Sequence, residues 1–199
     1  MVAVITVVPP TETPPATEFA LTSPRELGAG QHIAADGSYR ATETEAAGPM
    51  VCRIERGSPA FRQLIDVYDA RVLWSGGEPA PYGDEDHKMH PAMLEPFTAL
   101  VDLVQQEWNG ETQIMVTEIY DSLGDHDPFH GDNTQKYALH FEGRSIDLIP
   151  WPSDTARLAR LCALTHAAGF DWVHNEADHC HASIKAQSLC ELYDYRVGP

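Results

Sequence analysis

Basic side chains are scarce in this chain. Its 13 Lys and Arg face 30 Asp and Glu, a formal net charge of -17 at pH 7. Nucleic acid or an anionic membrane would need clustered cations, so neither partner is expected. Long apolar runs are missing too: nothing approaches the roughly 20 residues of a membrane-spanning helix. The opening MVAVITVV has neither a positive n-region nor a small-residue cleavage site, so no encoded signal peptide is expected. Cysteine is sparse and scattered (Cys52, Cys162, Cys180, Cys190), with no CxxC pair. That excludes a disulfide scaffold; free thiols are expected, with Cys180 serving as a small buried hydrophobe. No internal repeat is present.

What remains is enough for one domain: 199 residues, 43% of them apolar, a length that buries roughly 70% of its unfolded surface. Residues 1–24 are a Pro/Thr-rich arm, expected to be flexible, and the Gly- and Ala-rich stretch from Arg25 to Pro49 reads as loop. MVCRIER alternates as a strand. Ser58 before Pro59 predicts a helix start, with Phe61, Leu64, Ile65 and Tyr68 as its stripe. RVLW is a short strand. Pro91 opens the longest helix, with Phe97, Leu100, Val101, Val104 and Trp108 inward and Asn109-Gly110 at its end. TQIMVTEIY is β-branched and reads as a strand. Ser153 or Asp154 caps a further helix carrying Leu158, Leu161, Cys162, Leu164 and Ala168, ended by Gly169, and FDWV is the next strand. Phe170, Trp108 and Trp172 are expected in the core; His87, His90 and His166 are expected at the surface or as caps. This irregular alternation predicts an α+β two-layer sandwich, a mixed or antiparallel sheet against about three helices.

Metal chemistry is suggested by YALHFEGRSIDL. With Gly143 and Arg144 as the centre of a type II′ turn, the hairpin register pairs His140 with Asp147, close enough to share one divalent ion. A third ligand is available in HNEADHCHASIK, where a strand over 179–185 puts His179 and His181 on one face. Three protein ligands with an open position for water are the catalytic arrangement of zinc, and Glu176, just ahead of that strand, is placed to act as base.

Two acidic runs flank the long helix and its strand: Glu78, Asp84, Glu85 and Asp86, then Glu118, Asp121, Asp125 and Asp127. Such carboxylates repel one another unless they share an ion, and calcium takes oxygen ligands of this kind.

LHFEGRSIDL followed by LARLCALTHAAGFDWVHNEADHCHASIKA resembles the hedgehog family of signalling domains, as do LGAG, RIERGSPAFRQL, DHKMHPAM, VQQEW and VTEIYD. That fold is in turn similar to zinc D-Ala-D-Ala carboxypeptidases. The resemblance covers about residues 25 to 187 and implies a zinc domain over 25–190 with a short tail, 191–199. It implies zinc ligands His140, Asp147 and His181, with Glu176 as the catalytic-type glutamate and His179 on the oxyanion side. It also implies calcium at the acidic runs, Glu118, Asp121 and Asp86 matching best.

Some features depart from the family. The span from Glu176 to His181 is one residue shorter than in animal members. Thr134 stands where the family has a histidine, a role open to His126 or His130. The basic stretch, the N-terminal cysteine for lipidation and the self-splicing domain are not found in the sequence, so a divergent, prokaryotic-type relative is expected. The expected function is a zinc peptidase or amidase acting on peptidoglycan-type peptides outside the cytoplasm, with His179, Arg144 or Lys185 stabilising the oxyanion. The alternative is a receptor-binding module whose metals only hold the fold.

Overall fold

The computed structural model describes residues 23–33, 39–75, 80–122 and 138–194. Most of the N-terminal arm, together with Glu78, Asp125, Asp127, His126, His130 and Thr134, lies outside them. The frame is a six-stranded sheet in the order β1-β7-β8-β6-β5-β3. The strands are β1 (His32–Ile33), β3 (Val72–Trp74), β5 (Gln113–Glu118), β6 (Ser145–Trp151), β7 (Trp172–Asn175) and β8 (Cys180–Ser183). All neighbours are antiparallel except β3 and β5. β2 (Ile65–Asp66) and β4 (Lys88–Met89) form a separate ribbon. The α+β sandwich expected from the sequence is the architecture found.

Strand alternation gives the sheet two chemically different faces. Ile114, Val116, Ile146, Leu148, Val173, Cys180 and Ala182 join one buried apolar cluster with Phe97, Leu100, Val101, Leu158, Leu161 and Leu164. The latter six come from α2 (Leu94–Trp108) and α3 (Thr155–Ala167), which cover that face. Both helices carry the stop and start signals read from the sequence. Asn109 closes α2 in the left-handed region at φ 48°, and the Asp154 side chain accepts from Arg157 N at 2.8 Å at the start of α3. The opposite face presents Ser145 and Asp147, His181 and Ser183, and Trp172 and His174.

Three local readings are corrected. The stretch from Arg25 to Pro49 is not all loop: it holds β1 and α1 (Tyr39–Ala47). No helix runs from Ser58. Its hydroxyl does accept from Phe61 N at 3.0 Å, but one 3-10 turn (Phe61–Gln63) follows and the chain then extends at Leu64. Ile65 there finds a strand partner in Met89, and Tyr68 is 70% exposed. MVCRIER is not a strand, because its amides are used elsewhere. Val51 N and Cys52 N donate to Glu142 Oε1 at 3.3 Å, and Ile54 N donates to Phe141 O at 3.0 Å.

The cysteines are not free. Cys52 pairs with Cys190 and Cys162 with Cys180 as disulfides, with Cα atoms 6.3 and 5.5 Å apart, inside the usual range.

Candidate metal centre

His140, Asp147 and His181 do meet, but not through a hairpin. Leu139–Glu142 is a 3-10 turn closed by Gly143 at φ 62°, ψ 24°. That is the left-handed helical region, whereas the first central residue of a type II′ turn needs a strongly negative ψ near -120°. His140 therefore reaches the site from a turn. It is His181 that stands directly across from Asp147, in the β6–β8 register. On the other side, Glu118 pairs with Asp147 beside a bulge in β5.

Three donor atoms converge. His181 Nδ1 lies 2.8 Å from Asp147 Oδ1 and 3.3 Å from His140 Nε2, and His140 Nε2 lies 3.6 Å from the same carboxylate oxygen. Donors about 2.0–2.1 Å from a tetrahedral divalent ion sit about 3.3 Å from one another, so the triangle has the right size. The remaining ring nitrogens are occupied. His140 Nδ1 donates to Ile119 O at 2.7 Å, and His181 Nε2 lies 3.0 Å from Glu43 Oε1. With their outer nitrogens held in this way, both imidazoles can turn an inward lone pair to a cation once it displaces the proton there, and the three residues can hold a metal ion. They are the one such His/Asp group among the described residues.

The electrostatics point the same way. Burial disfavours the charged forms of both histidines, yet nearby carboxylates outweigh it. Glu118 and Asp147 raise His140 well above the usual histidine range. Asp147 and Glu43 push His181 up to about 9. Asp147 is itself held well below the usual carboxylate range, burial being overcome by the two histidines. The pocket is built for net positive charge at its centre, which protons supply in the metal-free chain and a divalent ion would supply otherwise.

Glu176 and His179 occupy the solvent side. His179 Nε2 is 3.4 Å from Asp147 Oδ2 and 3.8 Å from Glu176 Oε2. The Glu176 and His179 side chains are 31% and 25% exposed, against 2% and 7% for His140 and His181. The shortened segment between Glu176 and His181 closes as a tight turn, with Glu176 N donating to His179 O at 2.9 Å and Ala177 at φ 79°. Arg144 is removed from the list of oxyanion candidates. It is 1% exposed, paired with Glu142 at 2.8 Å, and donates to the carbonyls of Ala47 and Pro49. Lys185 follows β8 at the exposed surface. The aromatic expectations hold for Trp172 and Phe170, which are fully buried. Trp172 meets the His181 ring edge-on at 5.7 Å. Trp151 is 48% exposed at the end of β6. His90 is a cap, accepting from Ala92 N at 3.1 Å.

The acids expected at a calcium site are not gathered into a ligand group among the described residues. Arg56 donates to Asp84 at 2.9 Å and Glu85 at 2.5 Å, and Ser122 N donates to Glu85 at 2.6 Å. Asp86 accepts from Ser75 at 3.1 Å, Glu118 turns toward His140, and Asp121 is buried.

Glu43 was missed by the sequence reading. Its signal was the YRATETEAA run, rich in Ala and Glu, ahead of Gly48, a helix with a glycine at its C-terminal end.

Relatives are recognisable from the sequence. A family model described as the hedgehog amino-terminal signalling domain matches residues 27–183. "Protein hedgehog" of Drosophila pseudoobscura pseudoobscura is 32% identical over 147 residues, covering 73% of this chain and 28% of the relative. "Tiggy-winkle hedgehog protein" of Danio rerio is 30% identical over 144 residues (72% and 32%), and "Sonic hedgehog protein" of Xenopus laevis is 30% identical over 144 residues (72% and 30%). The chain thus spans about a third or less of the length of these curated relatives. No helix among the described residues is long and apolar enough to cross a membrane. With the family model covering most of the chain and these relatives agreeing, this protein belongs to the hedgehog amino-terminal signalling domain family.

Proposed function

We propose that residues 25–190 form a zinc-dependent hydrolase domain acting on peptide bonds, with His140, Asp147 and His181 as the zinc ligands and peptidoglycan-type stem peptides as the first substrate class. The observation that supports it is the three-donor set of two imidazoles and one carboxylate with Glu176 and His179 on its solvent side. Closed structural zinc sites use four protein ligands and favour thiolates, whereas three ligands of this kind leave a position for water. Bound zinc supplies a Lewis acid and lowers the pKa of its water toward 7. Glu176 takes a proton from the attacking water and returns it to the leaving amine. His179, held between Asp147 and Glu176, donates to the developing oxyanion. Asp147 carries the negative charge that lets two neutral imidazoles hold a dication.

Calcium is proposed as a modulator at Asp84, Glu85, Asp86, Glu118 and Asp121. Arg56 now neutralises two of these carboxylates, so calcium must compete with a guanidinium, and Arg56→Ala is expected to raise calcium affinity. An extracytoplasmic location is proposed from the two disulfides, which persist in oxidising compartments.

A second reading is favoured by the matched family being described as a signalling domain: a receptor-binding module in which the metal is structural. Cleavage of stem peptides by the zinc-loaded protein, followed by mass spectrometry, separates the two. Activity lost in Glu176→Gln at unchanged zinc content supports the hydrolase. Equal zinc in both proteins with no cleavage by either selects the module.

A further inference from the structure

We infer that Glu43, delivered by α1, is the positioning residue that fixes His181 for metal binding; this rests on the zinc site just proposed. The His181 ring has two nitrogens, and Nδ1 is the one turned toward His140 and Asp147. Nothing in β8 by itself sets which nitrogen carries the proton. Glu43 does: its Oε1 stands 3.0 Å from His181 Nε2. An ionised carboxylate only accepts, so when a metal ion displaces the proton that Nδ1 shares with Asp147, Glu43 keeps the remaining proton on Nε2 and leaves Nδ1 as the lone pair.

The carboxylate is itself held in place. Ser183 Oγ donates to it at 2.5 Å, and Ser145 Oγ lies 3.0 Å from Ser183 Oγ, so β6 and β8 both brace it from the sheet. The helix is pinned at two points. Trp172 Nε1 donates to Thr42 Oγ1 at 3.1 Å, one residue before Glu43, and the same indole packs edge-on against His181. At the other end Arg144 donates to Ala47 O, placing a buried cation at the helix C-terminus, where the helix dipole favours it. Arg144 lies one residue from Ser145 and three from Asp147. The same backbone that carries a metal donor therefore anchors the helix that orients another. Carboxylates that hold the far nitrogen of a metal-binding imidazole raise its basicity and fix its ring, and their loss typically weakens metal binding 10- to 100-fold.

The test measures zinc affinity by competition with a chromophoric chelator for wild type, Glu43→Ala and the isosteric Glu43→Gln. Unfolding midpoints of the metal-free forms are measured alongside. Cobalt(II) spectra of the loaded proteins report the ligand field. The inference predicts zinc binding by wild type at one ion per chain, a 10- to 100-fold loss in Glu43→Ala, a smaller loss in Glu43→Gln, and a changed cobalt spectrum in both variants. Affinity and spectra equal to wild type in either folded variant would overturn it and leave the zinc site standing, as would lowered stability with unchanged affinity. Absence of zinc binding by wild type removes the underlying site, and this inference with it.

Discussion

Gly143 shows how little room the site leaves its support. A Cβ there would lie 2.9 Å from Leu64 Cδ2 and 3.1 Å from His90 N, on a backbone already at φ +62°. Left-handed strain costs an ordinary residue roughly 1–2 kcal/mol, and the clash with a backbone nitrogen cannot be relieved by rotating a side chain. Gly143→Ala is expected to cost about 2–4 kcal/mol in urea unfolding and to weaken metal binding, since His140 and Asp147 sit on either side of the turn; a loss under about 1 kcal/mol would count against this account. His90, whose amide donates to Gly143 O at 2.8 Å, gives a pH dependence. Burial, then the nearby Arg144 guanidinium, lowers its pKa, with Glu142 and the Gln187 carbonyl opposing. A folded pKa below the unfolded value of about 6.5 means full stability above pH 6.5, lost as pH falls toward the folded value. His90→Asn keeps the cap acceptor and removes the ionisation. Its unfolding free energy between pH 7 and 5 is expected to be flatter than wild type, by at most one proton or about 1.4 kcal/mol per pH unit; identical slopes would assign the acid sensitivity elsewhere.

The 3-10 turn Glu85–His87 ties the β2–β4 ribbon to the end of β5, because Glu85 accepts from Ser122 N and is fully buried. Arg56 is its partner cation. Removing it leaves a buried carboxylate short of its counter-charge, so Arg56→Ala is expected to cost about 2–4 kcal/mol in denaturant unfolding, with Arg56→Lys recovering part of it. A cost near zero would mean that Glu85 is protonated in the folded state. Elements such as α2, β5 and α3 were legible in the sequence because a long apolar stripe and a cap agree locally: Phe97 to Val104 before Asn109, or Asp154 before Leu158. The 3-10 turn at His140 was not, because alternation in YALHFEGRSIDL suits a hairpin and only the ψ of Gly143 decides otherwise. The helix after Ser58 failed where Ile65 met a strand partner distant in sequence. α1 was hidden by its glycine-rich surroundings, and with it Glu43. The group His140, Asp147 and His181 was still named together because the family resemblance implies it; strand parity bears only on Asp147 and His181, since His140 stands on the turn.

Two covalent links bound the molecule as a whole. Cys52–Cys190 spans 138 residues and Cys162–Cys180 spans 18. Closing the longer loop restricts the unfolded chain more, about 4–5 kcal/mol against about 3 on the chain-entropy account. Replacing the first pair by serine is therefore expected to lower the urea midpoint more than replacing the second; the reverse order would show that local packing, not loop closure, governs their contribution. The shorter link has a second effect. β8 meets β6 through four residue pairs only, and a slip by one position would set Cys180 or Ala182 opposite Asp147. Cys162, anchored on a helix across the core, holds Cys180 to the apolar side. A bond between two sulfurs on the hidden face thus locks the parity of a short strand, and so keeps imidazole rather than thiol facing the donors on the other.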